Sequence, residues 1–508
     1  MKKQTRREFI ACSGLGTLGM MAGGTAFAGE TVFNGAGQAA SEENKDNGAY
    51  QYTRKIPVGD SYDLVVAGGG PAGCGAAISA ARLGANVLLV EATGCLGGMG
   101  TSGLVTAFDP MANGEQMLVG GLMREIIETL YKRGFIPTLL DPKRWRQEFH
   151  HWSPFDAEGL KLLLDELCEK AGVEVRFFTK VIDADVDPDS KTVNGVILSN
   201  VEGYRYVKAK AFVDATGDAV LSQLCGAPYW EAGRDTPDIM PPTLCALLAG
   251  IDWTRVRRSD IGVAGQQEKV EQAVRDGFFS QPDRHVPGLF MGMHQTTMMN
   301  AGHVFKMNSV NCKSLSEGMK KGRKLVQEYV DFYRKYMGLQ NLQLVTTAAM
   351  MGIRESRRVQ GEYVLDYDDY KARRTFPDQI AIFCKAIDIH VYDCTDEQYK
   401  RYHDSFTKID KYAPGEYYGI PYGVLVPKGW KNLWVAGRCI SCDVPVQGSL
   451  RVQPAASMMG QAAGVAALQS IKTGKSAAEI DTRQLVETLR SQNANLPQKE
   501  LVSVMTKK

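Results

Sequence analysis

Thirty residues, 62–91, constrain the fold more than any other part of the chain. Residues 62–67 read Tyr-Asp-Leu-Val-Val-Ala, a short apolar run with β-branched character that predicts a buried strand. Gly68-Gly69-Gly70-Pro71-Ala72-Gly73 follows at once. Small apolar residues then keep helical spacing from Ala72 to Leu83, and Gly84 supplies a stop. Residues 86–90, Asn-Val-Leu-Leu-Val, predict a second strand that runs into Glu91. Strand, G-x-G-x-x-G, helix, strand and acid within one βαβ unit form a dinucleotide-binding pattern. Gly68 permits the tight turn. Gly70 lacks a Cβ, so a pyrophosphate can reach the backbone, and Gly73 lets helix and strand pack closely. Pro71 and Ala72 open a helix whose free N–H groups and positive dipole end favour phosphate.

Glu91 suits unphosphorylated ribose hydroxyls, which favours FAD or NAD over NADP. The next stretch decides between those two. Residues 92–103 run Ala92-Thr93-Gly94-Cys95-Leu96-Gly97-Gly98-Met99-Gly100-Thr101-Ser102-Gly103. Backbone that dense in glycine admits a second large group beside the pyrophosphate, and points to FAD. Two later strands agree: residues 209–214 lead into Ala215-Thr216-Gly217-Asp218, and residues 432–436 lead into Gly437-Arg438. A small-residue helix is expected from Ala455 to about Ile471, opening at Pro454. Its dipole can complement the negative edge of a reduced flavin, so the backbone from Val452 through Gln453 and Ala455 to Ala456 is expected at the cofactor.

These pieces resemble the FAD-dependent oxidoreductases with a glutathione-reductase-type FAD domain. More narrowly they resemble those carrying a Gly-Ile-Arg-Glu-Ser-Arg-Arg segment, which stands here at residues 352–358. The resemblance spans roughly residues 60–470. It implies an α/β fold: a Rossmann-like FAD-binding domain in three layers around a central parallel sheet, with a second α+β substrate domain inserted. It also implies that Val181 lies at the adenine, Thr216, Gly217 and Asp218 near the pyrophosphate, and Gly437 and Arg438 at the ribityl chain. The expected cofactor set is Gly68, Gly70, Pro71, Ala72, Gly73, Glu91, Ala92, Gly97, Gly98, Met99, Val181, Ala215, Thr216, Gly217, Asp218, Gly437, Arg438, Val452, Gln453 and Ala455. The FAD domain is expected to be discontinuous, over 56–110, 150–230 and 415–475. Residues 111–149 and 231–414 then make the substrate-facing cap, with helices near 119–133, 264–277 and 314–337, and residues 476–508 a C-terminal tail.

The first 28 residues read as an address. Arg6-Arg7 before Phe9-Ile10 resembles the twin-arginine export signal, and Ala26-Phe27-Ala28 resembles a cleavage site. That route carries proteins already folded, as a cofactor-loaded protein must be. A periplasmic or otherwise exported location is therefore expected, without stable membrane insertion once the signal is removed. Residues 29–55 read as a flexible polar spacer. The 59 Lys and Arg nearly balance the 57 Asp and Glu, which argues against an electrostatic nucleic-acid binder. The eleven cysteines are scattered. Cys439 and Cys442 form the one CxxC, read as two small residues in a tight loop or as a redox pair, and no spacing predicts a metal site.

A flavin needs a protein that binds substrate, moves a proton and holds charge. Candidates are His294 and His303 as acid/base, and Arg354 and Arg451 as contacts to an anion or the substrate. Tyr417, Tyr418 and Tyr422 are candidate pocket walls, and His150 and His151 read as structural. The function expected is hydride transfer between FAD and a small polar substrate, with oxidation of a CH–OH group, as in a sugar derivative, favoured. The alternatives are reduction of an unsaturated carboxylate and a non-catalytic flavin electron carrier. No second nucleotide fingerprint appears, so the electron partner is left open among a quinone, a cytochrome and another carrier.

Overall fold

The apolar run at 62–67 lies within a ten-residue strand, β1 (Val58–Ala67). The computed structural model describes residues 52–137, 140–149, 152–293, 295–406 and 411–497, so the expected signal and most of the spacer lie outside the described residues. Helix α1 (Pro71–Arg82) follows the glycine turn, with proline in its first turn, and leads to β2 (Val87–Val90). Asp156 caps α2 (Ala157–Ala171) by accepting from the N–H groups of Glu158 at 2.7 Å and Gly159 at 3.1 Å, and left-handed Gly172 ends it. Four strands come next: β3 (Glu174–Arg176), β4 (Lys180–Asp187), β5 (Thr192–Asn200) and β6 (Gly203–Asp214).

The sheet runs β3-β2-β1-β6-β5-β4, and β7 (Leu433–Val435) pairs with the end of β6. The pairs around β1 and β2 and the β6–β7 pair are parallel, whereas β4, β5 and β6 are antiparallel. Side chains of β1 and β2 alternate between two cores. Leu64, Val66, Val87 and Leu89 enter one, and Val65, Ala67, Leu88 and Val90 enter the other. A parallel sheet covered on both faces reads as such a continuous apolar run.

The long helix α3 (Gln453–Thr473) packs directly on α1. Its small residues explain how. A Cβ on Gly460 would stand 1.9 Å from the Ala72 carbonyl oxygen, so only glycine allows the two backbones to touch. The contact brings the N-termini of both helices to one end of the sheet, beyond the carboxyl ends of β1 and β2, where open α/β sheets bind ligands.

The cap has its own four-stranded antiparallel sheet, in the order Leu289–Met291, Thr296–Met299, Ala246–Ala249, Gln343–Thr347. Helices Val263–Arg275 and Cys312–Tyr336 match two of the expected helices, and Leu248, Met299, Val330 and Phe332 belong to a separate core there. The third, Gly121–Lys132, behaves differently. Its Leu122, Ile126 and Leu130 join the core under the main sheet, although residues 111–149 were assigned to the cap. The stretch read as a tail is also folded as far as residue 497. Helix α4 (Thr482–Ser491), capped by Asp481, buries Leu485, Val486 and Leu489 in that same core. Its apolar spacing is helical. Among the described residues no helix is long and apolar enough to cross a membrane.

Candidate active site

A cleft of about 440 Å³ opens where the two helix N-termini meet the sheet. Gly68, Gly70, Pro71 and Ala72 line it from the first turn, and Glu91, Ala92, Gly98 and Met99 from the second. Val181, Ala215, Thr216, Gly217 and Asp218, then Gly437, Arg438 and Gln453, complete the expected wall. Gly73, Gly97, Val452 and Ala455 stand behind it. Gly97 donates its N–H to the Gly69 carbonyl at 2.8 Å, and Val452 caps α3. Ala456, expected at the cofactor, faces the cleft as well, and sequence reasoning missed Thr93, Thr179, Met350, Met351 and Ile353, which also face it.

The cleft fits an adenine dinucleotide by its own geometry. A Cβ placed on Gly70 meets nothing within 4 Å, so this backbone faces open space at the start of α1. The α1 N-terminus carries no side-chain cap, which leaves its donors for an anion. Glu91 is fixed: one carboxylate oxygen accepts from the Gly69 N–H at 2.7 Å, the other from the Thr93 N–H at 2.7 Å and its hydroxyl at 2.8 Å. At the α3 end Gln453 gives its side-chain N–H to the Val105 carbonyl at 2.7 Å, while its Oε1 is buried and unpaired.

The segment 352–358 borders the cleft through Ile353 and divides its charges. Arg357 pairs with Glu231 at 3.0 Å, and Arg358 donates to the Cys442 carbonyl. Glu355 is 1% exposed and accepts from the Met240 N–H at 3.1 Å, and burial raises its pKa. Arg354 donates to neutral groups, Pro241 O at 2.6 Å and Thr243 Oγ1 at 3.0 Å. Arg438 ties three segments together, donating to Gly217 O at 3.0 Å, Ile353 O at 2.6 Å and Asp218 Oδ1 at 2.6 Å.

A polar cluster adjoins the cleft at Arg451. Its guanidinium, 7% exposed, contacts Asp388 Oδ2 at 3.1 Å and the Asp388 carbonyl at 2.6 Å. Asp388 Oδ1 lies 3.4 Å from His390 Nε2. His390 Nδ1 lies 2.8 Å from His303 Nε2, and His303 Nδ1 lies 3.0 Å from Asp283 Oδ2. His285 stacks on His303 at a ring distance of 5.1 Å and meets His390 edge-on at 4.9 Å. Burial alone would raise the Asp283 carboxyl, but the His303 imidazole and the backbone N–H groups of His285 and His303 outweigh it and hold the carboxyl well below its usual range. Asp388 follows the same logic, with His390, Arg451 and Lys385 overcoming burial. Burial, then the charge of Arg451, brings Arg354 down to about 10.

The chain matches the family model described as FAD dependent oxidoreductase over residues 63–489. It belongs to that family. Its cofactor is FAD, and it is an oxidoreductase. The fold is also similar to that of a geranylgeranyl bacteriochlorophyll reductase-like protein from Thermoplasma acidophilum (13% identity, 85% of this chain, 83% of that one, TM-score 0.41). Similar figures hold for the flavin-dependent brominase Bmp2 (13%, 85%, 83%, 0.41) and the myxobacterial chondrochloren halogenase CndH (15%, 85%, 79%, 0.39). No curated protein sequence matches the chain.

Of the catalytic candidates in this FAD-dependent oxidoreductase, the fold gathers three: Arg451 on the cleft, with Arg354 and His303 in the cluster behind it. His303 is 1% exposed, and His390 stands between it and Asp388. His294, His150 and His151 lie outside the described residues. Tyr418 and Tyr422 are core residues and not pocket walls: the Tyr418 hydroxyl bonds Ser449 at 2.6 Å and the Tyr422 hydroxyl donates to Ala477 O at 2.8 Å. Cys439 and Cys442 are both buried free thiols. His285 and His390 were missed. Each closes an Asp-x-His triplet, Asp283-Arg284-His285 and Asp388-Ile389-His390, and that repeat was the available signal.

Proposed function

We propose that the enzyme oxidises a CH–OH group of a small acid, such as a sugar acid, with FAD held in the cleft just described. The observation that carries this reading is Arg451. It lines the cleft immediately before α3, and it reaches the histidine cluster through Asp388. In this reading the pyrophosphate lies against Gly68, Gly70 and Ala72, the ribose at Glu91, and the flavin at the start of α3. Bound FAD supplies a hydride acceptor. Arg451 and Arg354 repel one another and Asp388 compensates in part, so a substrate carboxylate between the two arginines would offset the remainder. As the carbon loses its hydride, the hydroxyl proton leaves by way of the imidazole cluster, whose nitrogens can accept it or hold the hydroxyl oxygen. The electrons then pass to a separate acceptor. Arg6 and Arg7 support export as a folded holoprotein.

A second reading, reduction of an unsaturated carboxylate, is favoured by the same two arginines. Anaerobic titration separates the two. Loss of flavin absorbance at about 450 nm on adding hydroxy acids supports oxidation. Reoxidation of pre-reduced enzyme by enoates, with no bleaching by any hydroxy acid, supports the second reading and removes the first.

A further inference from the structure

We propose that His285, His303 and His390 bind one divalent transition-metal ion of the zinc type. Three of the seven histidines in the sequence meet here from separate segments, each offering a ring nitrogen within 4.8 Å of the other two. The outer nitrogens of two of them face carboxylates: His303 Nδ1 at 3.0 Å from Asp283 and His390 Nε2 at 3.4 Å from Asp388. Carboxylates stand in the same relation behind metal-bound imidazoles, although His303 Nδ1 is not hydrogen-bonded to Asp283 in this arrangement of the rings. The inner nitrogens, His303 Nε2 and His390 Nδ1, stand 2.8 Å apart, close enough for one proton or one ion to lie between them. A shared proton would satisfy two nitrogens, whereas an ion also engages the third imidazole. With metal–nitrogen bonds of about 2.0–2.1 Å, neighbouring ligand nitrogens sit about 3–3.4 Å apart, so the pair opens by a few tenths of an ångström on binding.

The surroundings are built for this arrangement. Asp283 is fully buried and accepts from the Tyr399 hydroxyl at 2.8 Å, the His285 N–H at 3.0 Å and the His303 N–H at 3.1 Å. One carboxylate thus positions two of the three ligand loops. An all-imidazole set selects zinc, copper, nickel or iron over magnesium or calcium.

Three protein ligands leave a position for water or a substrate oxygen. The role assigned to the ion rests on the CH–OH reading and replaces the imidazoles as the group that meets the hydroxyl: the ion would bind the hydroxyl oxygen and lower its pKa, so that the proton passes to water, not to an imidazole, as the carbon gives its hydride to FAD. The site itself does not depend on that reading.

The test uses FAD-loaded full-length enzyme made without a polyhistidine tag, incubated with Zn²⁺ or Co²⁺, desalted and analysed for metal and flavin together. The expected result is about one ion per chain and, with Co²⁺, visible d–d bands. His303→Ala and His390→Ala should lose the ion and keep FAD, while His403→Ala, at an exposed histidine, keeps both. Asp283→Asn retains every ligand and should weaken the ion about 10–100-fold. Flavin-loaded wild type that keeps less than about a tenth of an ion per chain overturns the proposal in favour of a shared proton. Full retention in both alanine variants, or an ion affinity unchanged by Asp283→Asn, also overturns it. Metal without bleaching by hydroxy acids defeats the functional reading and leaves the site standing. Bleaching by metal-free enzyme supports the functional reading and removes the role assigned to the ion, while the binding data alone decide the site.

Discussion

A methyl group placed on Gly73 would stand 1.7 Å from the carbonyl oxygen of Gly68, whereas one placed on Gly70, three residues earlier, would meet nothing within 4 Å. The two glycines therefore fail differently. Gly73→Ala should cost about 3 kcal/mol of stability through overpacking and release FAD because the turn itself moves. Gly70→Ala should leave the urea midpoint of flavin-free protein unchanged and weaken FAD at least about tenfold. Flavin fluorescence titration beside urea unfolding reads both. Equal losses of stability in the two variants would refute the assignment of Gly70 to the cofactor.

Arg451→Gln removes the cation that joins cleft and cluster. At saturating FAD, kcat/KM for a carboxylate-bearing substrate should fall about 10–100-fold, the loss of one charge-assisted hydrogen bond. A neutral analogue without the carboxylate should lose less than about threefold, since that bond is absent from its complex. Steady-state kinetics on the matched pair is the measurement, and equal losses on both substrates count against carboxylate binding.

Asp214 is fully buried at the end of β6 and accepts four hydrogen bonds. They come from the Thr216 N–H at 3.1 Å and hydroxyl at 2.7 Å, and from the Ser222 N–H at 2.7 Å and hydroxyl at 2.8 Å. Asp214→Ala leaves those donors unpaired in a dry site and should cost about 3 kcal/mol. Asp214→Asn keeps one oxygen and should cost less. Chemical denaturation of both variants shows whether this residue holds the 215–218 loop in place.

Export is tested by replacing Arg6 and Arg7 with lysine. Flavin-loaded enzyme should then accumulate in the cytoplasm, and periplasmic activity should fall at least about tenfold. Fractionation that finds the enzyme still outside excludes the twin-arginine route.

The cofactor cleft was legible because its largest part is written contiguously. Turn, helix, strand and acid fall within residues 62–91, and each glycine answers a local steric demand. The helix from Gln453 was legible through its small residues and Pro454. The histidine cluster was not, because His303 and His390 are 87 residues apart and share no periodicity. Only the folding of the stretch between them brings them together. Thr93, Met350 and Met351 were missed for a related reason: an ordinary side chain becomes a wall only when a distant segment faces it. Helix Gly121–Lys132 was recognised as a helix but placed in the wrong layer, since amphipathic spacing tells that a face is buried and not against what.

The walls of the cleft begin at Gly68 and end at Ala456, and Arg438 ties Gly217, Asp218 and Ile353 together at its floor. A polypeptide still emerging from the ribosome owns the glycine turn by residue 73 but lacks the opposing helix until the stretch from Gln453 has been synthesised, some 380 residues later. Insertion of the prosthetic group therefore waits on the helix from Gln453, and a chain cut short before residue 436 should accumulate as colourless protein however well its first βαβ unit folds.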